Sequence, residues 1–274
     1  MNYTEGLFRF IEKSPTPFHV IDNMKQELAE QGYKQLLERE EWKLEQGGKY
    51  YVIRNGSAMV AFRVPKGTFG GFQIVASHSD APCLKLKENP ELWSEQAYVR
   101  LNVEKYGGMI CSTWFDRPLS VAGRLLVKSE EGVTVKLVQI DKDLLMLPSL
   151  AIHMNRDINT GYDYHAQKDM LPLYGMGTKG EKESFMDRIA READVKEEDI
   201  LGSDLYVYNR MPGSVWGSED EFISSGKLDD LECVYSSMAS FLSAEEHDRI
   251  PVHCVYDNEE VGSSTRQGAA STFL

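Results

Sequence analysis

Pro251-Val252-His253-Cys254-Val255-Tyr256-Asp257-Asn258-Glu259-Glu260 is the stretch whose reading decides the fold. Six mostly apolar residues, rich in β-branched and aromatic types, form a run of strand length. They give way at once to Asp257, Asn258, Glu259 and Glu260. A buried strand that ends in acids belongs to an open α/β sheet, where ligands bind beyond the carboxyl ends of the strands. Two adjacent glutamates repel each other, and a bound dication would offset that repulsion. One glutamate could hold a metal while its neighbour takes a proton from water. The ordinary alternative for this motif on its own is a solvated charged turn.

Upstream, the pattern supports the same class. Tyr3 to Glu12 predicts a helix with Leu7, Phe8 and Ile11 on one face, broken by Ser14-Pro15-Thr16-Pro17. A second helix follows, with Val20, Ile21, Met24 and Leu28 in period and Gly32 past its end. Lys49 to Arg54 and Ala58 to Val64 read as strands joined at Asn55-Gly56. Phe72 to Ser77 reads as a short buried strand. From Glu88 to Trp216 the text becomes strand-rich, with turns at Gly107-Gly108 and Glu131-Gly132. It holds a polar loop from Tyr162 to Lys182, a helix from Glu183 to Ala193 and a strand from Asp204 to Asn209. After Gly217 the α/β pattern returns, with Leu228 to Leu242 helical. The expected organisation is a catalytic α/β domain in two pieces, 1–87 and 217–274, interrupted by an inserted domain over 88–216.

Two further clusters carry candidate chemistry. In Ala76-Ser77-His78-Ser79-Asp80, positions two apart on an extended chain share a face, so His78 and Asp80 fall together. That suits a metal-binding imidazole oriented by a carboxylate behind it. Gly226-Lys227-Leu228-Asp229-Asp230 opens a helix; its ordinary reading is capping, and its functional reading makes Asp229 a carboxylate bridging two metals. In chain order the clusters run His-x-Asp, Leu-Asp, Glu-Glu.

With SPTPFHVI (14–21), SHSDAPCLKLK (77–87), WFDRPLSVAGR (114–124), PSLAIHMNRDIN (148–159), GKLDDL (226–231) and YDNEEVGS (256–263), the chain resembles the aspartyl aminopeptidases, cocatalytic zinc exopeptidases, from about Ser14 to Ser264. The resemblance implies a zinc-exopeptidase-like mixed-sheet catalytic domain with a strand-rich inserted dimerisation domain. It implies a hydrolase that releases N-terminal residues, acidic or neutral, from peptides by two-metal activation of water. His78 and Glu260 would ligate metal, Asp229 would bridge the two ions, Asp80 would support His78, and Glu259 would be the general base. The ions would be zinc, with manganese or cobalt as alternatives. His153 resembles a histidine that reaches a partner subunit's active site, and the insert would build dimers and then a dodecamer. Two further ligands, an aspartate and a histidine, are expected downstream of the point where the chain ends, at Leu274. The rival reading is therefore an inactive fragment, or a non-catalytic assembly subunit of the same fold.

Composition narrows the rest. A net charge of −13 argues against nucleic acid and anionic membranes as partners. Four cysteines without a CxxC pair argue for reduced thiols and a cytoplasmic protein. No basic n-region with an apolar core opens the chain, and no run of about 20 apolar residues spans a membrane. His19 and His253 read as packing residues, His165 as a loop histidine and His247 as solvated.

Overall fold

The computed structural model describes residues 2–94, 97–181, 183–245 and 248–274; His247 and Lys182, the end of the expected polar loop, lie outside them. The chain forms two compact units. One comprises Met1–Ala81 with Pro212–Leu274, and the other Pro82–Met211. These divisions stand at Ala81/Pro82 and Met211/Pro212, where sequence alone sets them at 87/88 and 216/217.

The first unit opens with α1 (Tyr3–Lys13) and α2 (Pro17–Glu30), followed by β1 (Lys34–Leu36), β2 (Lys49–Arg54), β3 (Ala58–Arg63) and β4 (Phe72–His78). The second unit contributes β5 (Cys83–Ser94), β6 (Tyr98–Tyr106), β7 (Leu119–Ser129), β8 (Gly132–Gln139), β9 (Leu173–Met176), α3 (Phe185–Glu192) and β10 (Ile200–Asn209). The chain then returns to the first unit with β11 (Ser214–Trp216), β12 (Phe222–Ser224), α4 (Leu228–Ser243) and β13 (Ile250–Tyr256).

In the first unit the strands lie in the order β1-β2-β3-β13-β4. β13 runs antiparallel to β3 and parallel to β4, so the sheet is mixed. The β2–β3 hairpin turns at Asn55 (φ 53°) and Gly56 (φ 72°), which take the left-handed conformations that Asn and Gly tolerate best. Leu7 and Ile11 of α1, Val20, Ile21, Met24 and Leu28 of α2, and Leu231, Val234, Met238 and Phe241 of α4 pack on one sheet face against Tyr51, Met59, Ala61 and Val255. The opposite face holds a smaller cluster of Val60, Ile250, Val252, Cys254 and Tyr256, with Phe62 and Phe273 beside it.

β4 corrects the sequence reading. It is an edge strand rather than a buried one: Phe72, Ile74 and Val75 are 59%, 50% and 41% exposed. Apolar composition signals a strand that packs somewhere, and within this unit no described strand pairs with its outer side.

The second unit is built on an antiparallel sheet ordered β8-β7-β10-β5-β6-β9. Its core joins Leu84, Leu101, Leu119, Leu125 and Val207 of the sheet to Phe185 and Ile189 of α3. Ser184 and Asp187 close a capping box at the start of α3. The segment read as a continuous polar loop contains β9, which pairs with β6. No helix among the described residues is long and apolar enough to cross a membrane.

Candidate metal centre

The register of two parallel strands puts the first two clusters side by side. His78 ends β4 opposite Tyr256, the last residue of β13, and Ser77 stands opposite Val255. Ser79 carries the ladder one step further: its N–H donates to the Tyr256 carbonyl at 2.8 Å. Its hydroxyl donates to the carbonyls of Ser57 and Tyr256 at 2.8 and 3.0 Å. The next residue, Asp80, is thereby held in the interior at 0% exposure.

A fully buried carboxylate needs donors around it, and the chain after β13 supplies them. Asn258 takes a left-handed conformation (φ 63°), and its side-chain oxygen accepts from Thr265 Oγ1 at 2.7 Å and Gln267 Nε2 at 2.8 Å. That turn starts a single 3₁₀ turn, Glu259–Val261, whose first N–H groups have no partner within it. Both find Asp80: Glu259 N–H donates to Oδ1 at 3.1 Å and Glu260 N–H to Oδ2 at 3.2 Å. His78 Nδ1 lies 3.3 Å from Asp80 Oδ1 and 3.1 Å from the Asp80 carbonyl.

With Nδ1 turned to Asp80, the other ring nitrogen of His78 faces carboxylates. Nε2 stands 3.3 Å from Asp229 Oδ1, 3.8 Å from Asp230 Oδ2 and 3.9 Å from Glu259 Oε2. Asp229 and Asp230 reach it because they precede the regular turns of α4. Their dihedrals are non-helical, and the peptide bond between them is cis. Asp230 Oδ2 also accepts from the backbone N–H of His78 at 3.0 Å. Burial alone would lower the His78 pKa. The hydrogen bond to Asp80 and the charges of Asp80, Asp230 and Glu259 outweigh it and raise the pKa to about 9. Burial, then the charge of Asp80, holds the Glu260 carboxyl above its ordinary range. Hydrogen bonding to Asp230 pushes the Cys233 thiol up to about 11, so it stays protonated and unreactive.

An imidazole ringed by acids is a place that wants positive charge. Among the described residues, His78, Asp229 and Asp230 each offer a ligand atom within 4.8 Å of the others, as a small dication requires. One nitrogen with carboxylate oxygens is a donor set that zinc accepts. The structure thus brings His78, Asp80, Asp229 and Glu259 together. The backbone N–H of Glu260 belongs to the same knot, while its carboxylate falls outside the three-residue group.

His153 lies in the second unit, exposed, on the turn closed by Met154 N–H and the Ala151 carbonyl. Sequence reasoning passed over Asp230, although its adjacency to Asp229 was the available signal, and passed over Ser79, Thr265 and Gln267. Among the described residues, the remaining histidines are engaged locally. His19 Nδ1 is 2.8 Å from Thr16 Oγ1, His165 Nδ1 accepts from Gln167 N–H at 3.2 Å, and buried His253 Nε2 lies 2.7 Å from Ser237 Oγ.

A mixed sheet with an imidazole and acids gathered at the carboxyl ends of its parallel strands is the architecture of an α/β protein able to hold metal. The model of the aminopeptidase I zinc metalloprotease family, M18, matches residues 10–274, and the chain belongs to that family. A probable M18 family aminopeptidase 2 of Clostridium novyi is 45% identical over 280 residues, spanning 100% of this chain and 65% of the relative. A protein of the same description from Pseudomonas paraeruginosa is 36% identical over 98% of this chain and 64% of its own length. Among solved structures, Chaetomium thermophilum mApe1 is 33% identical with a TM-score of 0.92, covering 99% of this chain and 66% of that one. The S. cerevisiae mApe1 dodecamer is 29% identical with a TM-score of 0.82, covering 98% of this chain and 63% of that one. The chain thus spans less than two thirds of the length of these curated relatives.

Proposed function

We propose that this chain forms the metal-binding part of a zinc-dependent aminopeptidase that removes residues from the free N-terminus of peptides. The observation that carries the reading is the ring of Asp229, Asp230 and Glu259 carboxylates around His78 Nε2, with Asp80 behind Nδ1. Family membership supports the reaction class.

His78, Asp229 and Glu260 would hold the metal, with Asp229 shared between two ions. When bound, the ions supply Lewis acidity that acidifies water and polarises the scissile carbonyl. Asp80 would fix the tautomer: its carboxylate accepts a hydrogen bond from Nδ1–H, which leaves the Nε2 lone pair for a metal ion. Asp230 holds the end of β4 through the His78 N–H, so the ring keeps its position when its charge environment changes. Glu259 is half-exposed, at 55%, where a substrate and water can reach it. Its carboxylate accepts the proton of the attacking water and returns it to the departing amine. Two carboxylates of neighbouring sequence thereby divide the work, Glu260 toward metal and Glu259 toward the proton.

The same reading assigns the second unit to self-association. The dodecamer described for S. cerevisiae mApe1 supports assembly in this family. His153 would serve the neighbouring subunit's site, the substrates would carry acidic or neutral N-terminal residues, and the protein would work in the cytoplasm.

The test is hydrolysis of aspartyl, glutamyl and leucyl anilides with excess Zn²⁺ or Mn²⁺. Turnover that Glu259→Gln abolishes supports the reading, and the substrate ranking gives the specificity. A folded chain that binds zinc without turnover refutes the catalytic assignment for this chain and favours the assembly subunit.

A further inference from the structure

The arc that carries Asp229 and Asp230 is pinned by the residue in front of it. Lys227 stands ahead of α4, half-buried, in a left-handed conformation (φ 58°), and its side chain makes no capping hydrogen bond to that helix. Left-handed positions favour glycine or asparagine, and a long side chain persists there only where its surroundings hold it. Lys227 is held twice. Its carbonyl accepts from the Leu231 N–H at 3.2 Å, the bond that opens the regular turns of α4. Its Nζ crosses to the end of α1 and donates to the carbonyls of Ser14 at 2.6 Å and Ile11 at 3.2 Å. Asp229 and Asp230 lie inside the loop that the backbone bond closes, and the ammonium fixes where that loop begins.

The end of α1 suits a cation. The last carbonyls of a helix have no partner within it, and the helix dipole adds partial negative charge there. Ser14-Pro15-Thr16-Pro17 keeps α1 from continuing, because proline offers no N–H and disfavours helical dihedrals in the residue before it. Ser14 is fully buried, so its carbonyl depends on a protein donor. Asn23 Nδ2 ties the same turn, donating to the Lys13 carbonyl at 2.8 Å and to Ser14 Oγ at 3.0 Å. α1 is itself fixed against α4: Leu7 and Ile11 pack with Leu231 and Val234, and Gly6 leaves room for the Tyr235 ring, which an added Cβ would strike.

We propose that Lys227 is a positioning residue of the metal centre: its ammonium, seated on the C-terminal carbonyls of α1, sets where Asp229 and Asp230 stand against the end of β4. The placement is read at two points. Asp230 Oδ2 receives the His78 backbone N–H at 3.0 Å, and Asp229 Oδ1 faces His78 Nε2 at 3.3 Å. Without its anchor the arc is free to move away from both. The effect on metal binding rests on the metallopeptidase reading, and the effect on the His78 N–H does not.

The experiment pairs two readouts on the whole chain: exchange of the His78 amide proton with solvent, followed by nuclear magnetic resonance without metal, and calorimetric titration with Zn²⁺. Lys227→Met keeps the aliphatic stem and removes the ammonium. It should speed exchange at His78 at least about tenfold and weaken zinc binding about 10–100-fold, the range for a residue that orients a ligand from behind. Lys227→Arg keeps the charge and donors for two carbonyls, and should stay near the parent on both readouts. Lys49→Met is the control for stability alone, because Lys49 Nζ donates to the Gln31 carbonyl at 3.2 Å, at the end of α2, and it should alter neither readout. Should Lys227→Met fail to fold by circular dichroism, Lys227→Gln, which removes the charge, carries the same expectation. Exchange at His78 equal in parent and variant, or quickened equally by Lys49→Met, overturns the proposal, as does Lys227→Arg impaired as much as Lys227→Met. Quicker exchange with unchanged zinc affinity overturns the role in the metal centre. A parent that binds no zinc refutes the metallopeptidase reading and leaves the exchange readout to decide the placement by Lys227.

Discussion

Asp80→Asn is the sharpest perturbation of the metal centre, because it preserves shape and removes only charge and one acceptor. In the parent, the two carboxylate oxygens accept from the N–H groups of Glu259 and Glu260 at 3.1 and 3.2 Å, and one faces His78 Nδ1 at 3.3 Å, all at 0% exposure. A hydrogen bond to a charged group contributes about 1.5–3 kcal/mol net. An asparagine turns one of the two oxygens into an NH₂ that confronts a donor. At least one such bond is lost, and a buried donor is left without an acceptor, at a further cost of about 1–3 kcal/mol. The expected destabilisation is therefore about 2.5–6 kcal/mol, a large share of the ~5–15 kcal/mol of a typical domain. In urea unfolding followed by circular dichroism, the midpoint should fall by about 1–2 M. The variant that remains folded should bind zinc about 10–100-fold more weakly, since the tautomer and orientation of His78 are no longer set. A midpoint within about 0.2 M of the parent, together with unchanged zinc affinity, would refute the argument that Asp80 ties the Glu-Glu turn to the histidine.

Other consequences follow from particular groups. Burial lowers the pKa of His253 to about 4, and burial followed by the Lys227 charge does the same for His19. The unfolded chain takes these protons near pH 6.5 and the native chain only near 4, so stability is highest above 6.5 and falls as the pH drops between those values. His253 alone should contribute a loss of about 2 kcal/mol between pH 7 and 5, and urea midpoints that stay level across that range would contradict its neutral burial. Gly123 on β7 has no room for a side chain, since an added Cβ would meet the Asp204 carbonyl oxygen at 2.0 Å. Gly123→Ala should cost about 1–3 kcal/mol by overpacking, read as a lower melting temperature. On the exposed edge, Ile74→Lys should slow aggregation without lowering the melting temperature, measured by light scattering at rising protein concentration. Unchanged scattering would mean that β4 is not the self-associating edge.

Much of the first unit was legible because its signals are local. The Asn55-Gly56 hairpin, the periodic apolar face of α2 and the apolar run of β13 each follow from residues within a few positions of one another. The acid cluster was legible for a related reason: each of its parts sits at an element boundary that sequence pattern marks. What sequence could not supply was the register between distant strands. Whether β4 lies at the centre or the edge depends on its neighbours, not on Phe72-Gln73-Ile74-Val75, and the run reads the same either way. Asp230 was passed over because adjacent acids before a helix ordinarily cap it. Only the non-helical backbone at Asp229 and Asp230 turns that pair toward β4, where Asp230 receives the His78 N–H.

The parallel pairing of β4 with β13 carries a further consequence. Because the two strands run the same way, both carboxyl ends meet on one side of the sheet, and the acids that follow them, Asp80 and the Glu259-Glu260 pair, converge there. The antiparallel β2 and β3 bring opposite chain ends together, so Lys49 and Arg63 meet on the other side, next to the start of β13. The pairing of β13, antiparallel to β3 and parallel to β4, thus places the acids of the metal centre and the Lys49–Arg63 pair at opposite ends of the sheet. About 20 Å of protein between them is too far for Lys49 and Arg63 to neutralise the acids in 0.15 M salt, where screening acts over about 8 Å. The acid end therefore requires a counter-ion of its own, a dication where His78, Asp229 and Asp230 gather.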